Sequence, residues 1–177
     1  MSISQRLPAA IAALVILVTA LLSACGFQLR GSVELPAVLK STLLQAGDPW
    51  EGVAAALRIE LESSGARITT QADEATAILR LDNERSQRRV LSVGRGGKAS
   101  EYELFEEVTF SLQDNRGRVL LEPQTLRLTR DLVFDENQLL GKVSEIDELR
   151  NQMRRSLARQ IITRIRTSLQ AHEPAAP

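Results

Sequence analysis

The stretch SEYELFEEVTFSLQDNRG, residues 100–117, carries a period of two. Tyr102, Leu104, Val108, Phe110 and Leu112 fall on one face, with Glu106 the polar exception among them. Glu101, Glu103, Glu107, Thr109, Ser111 and Gln113 fall on the other, joined by Phe105. Successive side chains of a strand point to opposite sides. The pattern therefore predicts an antiparallel strand with one face on a core and the other in water. Phe105 stands on the polar face. Either it anchors an interface there, or a β-bulge returns it to the core. Asp114-Asn115-Arg116-Gly117 then has the composition of a hairpin turn.

Outward from this stretch the same logic gives the remaining elements. Downstream, 119–133 reads as a strand with Leu120, Leu126, Leu128 and Leu132 on one face. Pro123 has no amide hydrogen to give to a ladder, so that part belongs to an edge or a bulge. Upstream, Ala77-Ile78-Leu79-Arg80-Leu81 opens a strand that runs on toward Leu91. Its middle, DNERSQRR at 82–89, is polar on both faces, so this strand projects beyond the core. Gly94-Arg95-Gly96-Gly97-Lys98 is a loop by composition. Asp48-Pro49-Trp50-Glu51 reads as a helix start, with Asp48 as cap and Pro49 at the first helical position. Val53, Ala54, Leu57 and Leu61 follow at helical spacing and Gly65 ends a helix over 50–63. A short strand at 38–45 precedes it. Leu139–Lys142 lead into a last helix, with Ser144 and Asp147 as a weak capping box. Its apolar stripe is Ile146, Leu149, Met153, Leu157, Ile161, Ile165 and Leu169, widened by Ile162. The order β-α-β-β-β-α predicts an α+β fold, two helices packed on one face of a four-stranded mixed sheet.

The chain has 177 residues, enough for one domain with a sizeable core. Aromatics are only 3% of it, so that core is mostly aliphatic. Lys and Arg number 22, as do Asp and Glu, which argues against a general nucleic-acid binder. Residues 1–24 read as a signal peptide. The apolar run Ala9–Leu22 is 14 residues long, where a membrane-spanning helix needs about 20. Leu22-Ser23-Ala24-Cys25 resembles the lipobox of bacterial lipoproteins, in which the thiol takes a diacylglycerol. Cys25 is the one cysteine of the chain, and acylation accounts for its having no disulfide partner. Gly26 stands where an Asp would signal retention at the inner membrane, so the outer membrane is the expected address. The organisation is then a cleaved signal at 1–24, a lipidated tether at 25–37, a domain at 38–170 and a disordered tail at 171–177.

No catalytic constellation emerges. The one His, His172, lies in the tail with nothing to orient it as a base. No nucleophile elbow and no phosphate-binding glycine loop occurs. The loop at 94–98 leads into a strand, not the helix N-terminus that a phosphate site uses. The chain is read as a non-enzyme with no cofactor and no metal. Arg88, Arg89, Arg95 and Lys98 gather near the projecting hairpin; they are either a solvated edge or a patch for phosphate groups. The six Arg between Arg150 and Arg166 have the same two readings, and long Arg stems commonly cover apolar surface.

Cys25-Gly26-Phe27-Gln28-Leu29-Arg30-Gly31 after a lipobox resembles the start of the mature LptE lipoproteins, the rare lipoprotein B family. The resemblance continues through Pro36, Gly47-Asp48-Pro49, Arg95-Gly96 with Ser100-Glu101-Tyr102, and Phe134-Asp135 with Gln138, to about Leu169. It implies a two-helix, four-stranded domain on the periplasmic side of the outer membrane, lipid-anchored and seated in the lumen of the LptD β-barrel. One copy would plug one LptD, assist its assembly and take part in inserting lipopolysaccharide into the outer leaflet. It further implies that Arg95 and Lys142 meet lipopolysaccharide phosphates; Lys98, in the same basic cluster as Arg95, is a third candidate. The chain departs from the family in Gly96-Gly97 after Arg95 and in a one-residue difference of length before Lys142. The alternative is an auxiliary lipoprotein of a phospholipid-trafficking ABC system.

Overall fold

The computed structural model describes residues 35–94, 97–133 and 139–172, with the side chains of the last helix from residue 143 to 171. A single 3-10 turn, Ala37–Leu39, leads into β1 (Ser41–Gln45), α1 (Gly52–Ser63), β2 (Arg67–Thr69), β3 (Ala77–Val93), β4 (Ala99–Asp114), β5 (Val119–Val133) and α2 (Leu139–His172). The strands form one sheet in the order β2-β1-β3-β4-β5. β1 runs parallel to both β2 and β3, while β3, β4 and β5 form an antiparallel meander. This is the expected α+β arrangement of two helices and a mixed sheet, with one strand more. The fifth strand, β2, has three residues and one inward side chain, too few to show a period of two in the sequence.

The core lies between the two helices and the inner face of the sheet. Leu104, Val108, Phe110 and Leu112 of β4 are all buried, as the alternation requires. Val53, Ala54, Leu57 and Leu61 of α1 meet Leu157, Ala158, Ile161, Ile162 and Ile165 of α2 above Leu79 and Leu81. Leu104, Leu132, Ile146 and Met153 form a second, smaller cluster under the first half of α2. Apolar burial on this scale contributes about 25 cal/mol per Å² removed from water, so the larger cluster dominates.

Among the register breaks of the meander, two decide which residues are buried. Asp82 pairs with Thr109 and Arg85 with Glu107, so β3 spends one residue more than β4. Asn83 takes a left-handed φ of 52° there, which Asn tolerates better than most residues. The bulge is thus in β3, not β4. Phe105 stays on the outer face, opposite Gln87 and Thr129. The second break lies between Leu121 and Gln124, around Pro123 on the edge strand. The extra residue reverses the parity of β5. Leu121 is therefore the buried residue before Pro123, where the alternation had pointed to Leu120, which is half-buried.

The start of α1 also departs from expectation. Asp48 Oδ1 accepts the amide of Trp50 at 2.8 Å, but the helix begins later, at Gly52. Its cap comes from across the fold. Glu84 Oε1, from the β3 bulge, accepts the Val53 N–H at 2.6 Å. Gly52 sits at φ +59°, a conformation that favours glycine, and a Cβ there would lie 1.7 Å from the same oxygen and displace the Glu84 carboxyl. At the other end Gly65 closes the helix at φ +90°, as expected. α2 starts at Leu139, several residues before the capping box, and runs through His172, into the stretch read as tail.

Candidate functional site

β1 pairs with β3 only as far as Arg80, whereas β3 and β4 stay paired out to Val93 and Ala99. The three antiparallel strands therefore extend past β1 by roughly 40 Å at ~3.3 Å per residue. This projecting half is the candidate site.

Its outer face is held by charge. Glu107 Oε2 accepts both Arg127 Nη2 at 2.6 Å and Nε at 3.0 Å, two charge-assisted hydrogen bonds on one oxygen. Arg85 approaches the same carboxylate at 4.0 Å from the other side, so the ladder spans three strands. Phe105 lies between two cations, with Arg127 5.1 Å and Arg89 5.6 Å from its ring centre. Arg89 also binds Glu103. On the inner face Arg88 stacks over Tyr102 at 4.6 Å. Arg88 and Arg89, expected as phosphate ligands or solvated edge, are thus already engaged within the sheet.

Glu106 explains its place among the apolar residues. It is fully buried; its Oε1 accepts the Ser86 hydroxyl at 2.6 Å. Its Oε2 faces Arg154 Nε of α2 at 3.6 Å, a distance of charge attraction rather than hydrogen bonding. This pair separates the two apolar clusters. Beside it the Glu84 carboxyl is pushed above its ordinary value: desolvation outweighs the Val53 amide, and Glu106 adds to the rise while Arg154 opposes it. Glu84 is exposed as a residue, but its carboxyl end is tucked against α1. The sequence marked Glu106 as an exception; nothing in it linked Glu84 to α1 or Arg154 to Glu106.

The tip itself is apolar and exposed. Val90 and Val93 of β3, Val133 of β5 and Val143 of α2 are each more than half exposed. Lys98 stands in the loop between β3 and β4, where its backbone carbonyl accepts the Gly94 amide at 2.8 Å. No group of three potential metal ligands occurs among the described residues. No helix among them is long and apolar enough to cross a membrane.

Residues 45–165 match the family model described as LptE, lipopolysaccharide-assembly. The chain belongs to the LptE family. An LPS-assembly lipoprotein LptE of Photorhabdus laumondii is 28% identical over 163 residues, covering 92% of this chain and 87% of its own. One from Pectobacterium atrosepticum is 29% identical over 167 residues, covering 92% and 86%. Among solved structures, lipoprotein B of Nitrosomonas europaea superposes with a TM-score of 0.66 at 27% identity, over 83% of this chain and 97% of its own. The rare lipoprotein B of Shewanella oneidensis gives 0.61 at 25% identity, over 72% and 95%. Of the anchor cysteine and the three residues expected at lipopolysaccharide, Lys98 alone has a described side chain. Cys25 and Arg95 lie outside the described residues; Lys142 lies in the first turn of α2, its side chain undescribed.

Proposed function

We infer that this LptE-family protein is a non-enzymatic outer-membrane lipoprotein, anchored through Cys25, that plugs the lumen of LptD and helps that barrel assemble. In this reading it also binds lipopolysaccharide, through Arg95, Lys98 and Lys142, on its way to the outer leaflet. Family membership supports the lipopolysaccharide-assembly role. The observation that carries the plug is the projecting half of the sheet. Its outer face is polar, Glu103 and Glu107 on that face are paired with Arg85, Arg89 and Arg127, and its three strands run on past the end of β1. The interior of an outer-membrane barrel is polar, so a surface of this kind fits there without burying an unmatched charge. Phe105, flanked by two guanidinium groups, is the aromatic anchor of that face. The exposed valines of the tip, next to the cationic hairpin, suit a ligand with both phosphates and acyl chains.

A tagged copy purified from membranes should bring down a large β-barrel in equal amount. Recovery of the tagged chain alone, from membranes that contain LptD, overturns the plug. For the ligand, Arg95→Glu with Lys142→Glu should weaken lipopolysaccharide binding with the fold intact; unchanged affinity removes those residues from the site. Loss of surface lipopolysaccharide on depletion separates this function from service to a phospholipid transporter.

A further inference from the structure

At the end opposite the tip, the entry segment, the turn between β4 and β5 and the last turns of α2 enclose an open groove of about 970 Å³. Leu35, Val119 and Leu169 contribute apolar walls; Lys40, Arg118 and Arg166 contribute cations. Arg116 adds a fourth cation on the exposed turn. The one carboxylate, Asp114, is consumed locally. It accepts the amides of Arg116 and Arg118 at 2.9 and 2.8 Å and the Arg118 Nε at 3.1 Å. Lys40 and Arg166 make no ion pair among the described residues. α2 has no Asp or Glu from Leu149 to His172 and shows Arg159 and Arg164 on its outward side. Cations suit the C-terminus of a helix dipole, but that effect fades within a turn and does not reach Lys40 or Arg116 on other elements. In a chain of zero net charge this end holds a local excess of positive charge.

We propose that this end is a membrane-facing seat, in which the cations meet the phosphates of anionic phospholipid headgroups and the apolar walls meet the upper acyl region. The proposal rests on Cys25 being the lipid anchor. Leu35, the first described residue, lines the groove, and ten residue steps separate it from Cys25. At ~3.3–3.6 Å per step the tether reaches at most about 35 Å, so an acylated Cys25 keeps this end near a bilayer. Tethering makes the headgroup contacts effectively intramolecular, so individually weak contacts orient the domain. The lipopolysaccharide residues proposed above belong to the other end, about 50 Å away along β3 at ~3.3 Å per residue.

The test uses the full mature chain with Cys25→Ser, which removes the acyl chains from the measurement. Its binding to vesicles of phosphatidylethanolamine with phosphatidylglycerol is compared with binding to phosphatidylcholine vesicles. Binding is expected only to the anionic vesicles. Each cation near an anionic surface strengthens binding about fivefold, so Lys40→Glu with Arg166→Glu should weaken it roughly tenfold or more. Arg116→Glu, on an exposed turn and safe for folding, should weaken it less. Equal binding to both vesicles, or no loss in the folded variants, overturns the proposal. Inorganic phosphate that abolishes binding at low millimolar levels would mark a free-anion site and also overturn it. If binding appears only after residues 173–177 are removed, the groove belongs to the chain's own tail and the proposal fails. Acylation of the native chain, read separately from its mass, tests the anchor itself, so the two failures are distinguishable.

Discussion

Residues 77–81 of β3 lie between strands, under helices, with Ala77, Leu79 and Leu81 buried. Residues 85–91 of the same strand are exposed throughout, and beyond Arg80 β3 pairs with β4 alone among the described strands. One strand thus passes from an apolar environment to one matched by charge, and the change falls at the bulge of Asp82 to Arg85. Short-range burial holds the first half. The second half depends on cross-strand pairs, on a small cluster under α2 and on the Glu106–Arg154 pair between the clusters. A sheet that needed only stability would stop where β1 stops. The extension costs backbone entropy of about 1–2 kcal/mol per ordered residue with little apolar burial in return, which is the mark of a surface kept for contact.

The difference between the halves is open to attack. Phe110→Ala, in the larger cluster, should lower the unfolding free energy by about 3–5 kcal/mol in urea titrations. Leu132→Ala, in the smaller cluster beneath an edge strand, should cost nearer about 2 kcal/mol. Equal costs would erase the distinction. Glu106→Ala leaves Arg154 facing an apolar layer and should cost about 3 kcal/mol, whereas Glu106→Leu with Arg154→Met should recover most of it. Failure of the double variant to recover would mean that the pair does more than offset its own burial.

Glu84 gives a pH test at the junction itself. Its carboxyl is held above the ordinary 4.5, so the folded state binds the proton more tightly than the unfolded chain. The stability it contributes is complete below 4.5 and is lost as pH rises through the raised value. Against Glu84→Gln, the parent chain should therefore gain stability as pH falls through the window just above 4.5. A difference that is flat with pH would show that the carboxyl is not desolvated. The smallest effect belongs to the extension. Arg89→Ala breaks an ion pair whose Arg is largely exposed, and should cost under about 1 kcal/mol and less in high salt.

Most of the architecture was legible in the residues. The alternation of 100–113, the turn at Asp114–Gly117 and the stripe from Ile146 to Leu169 each repeat with the period of their element. Periodicity survives because burial acts on one face at a time. β2 escaped because three residues carry no period. α1 was placed two residues early because a local Asp-Pro signal stood in for a cap that comes from Glu84. The polar character of 82–89 announced a projecting strand, but Arg88 and Arg89 there turned out to be engaged by Tyr102, Glu103 and Phe105.

The sequence by itself determined the two helices, the meander and the family. These depend on local pattern, which neighbouring residues supply. Only the tertiary structure decided which charges are matched, where the bulges fall, and that Lys40, Arg116, Arg118 and Arg166 share one end. Those depend on residues far apart in the chain, whose meeting is set by register and packing, and neither is written in any single stretch.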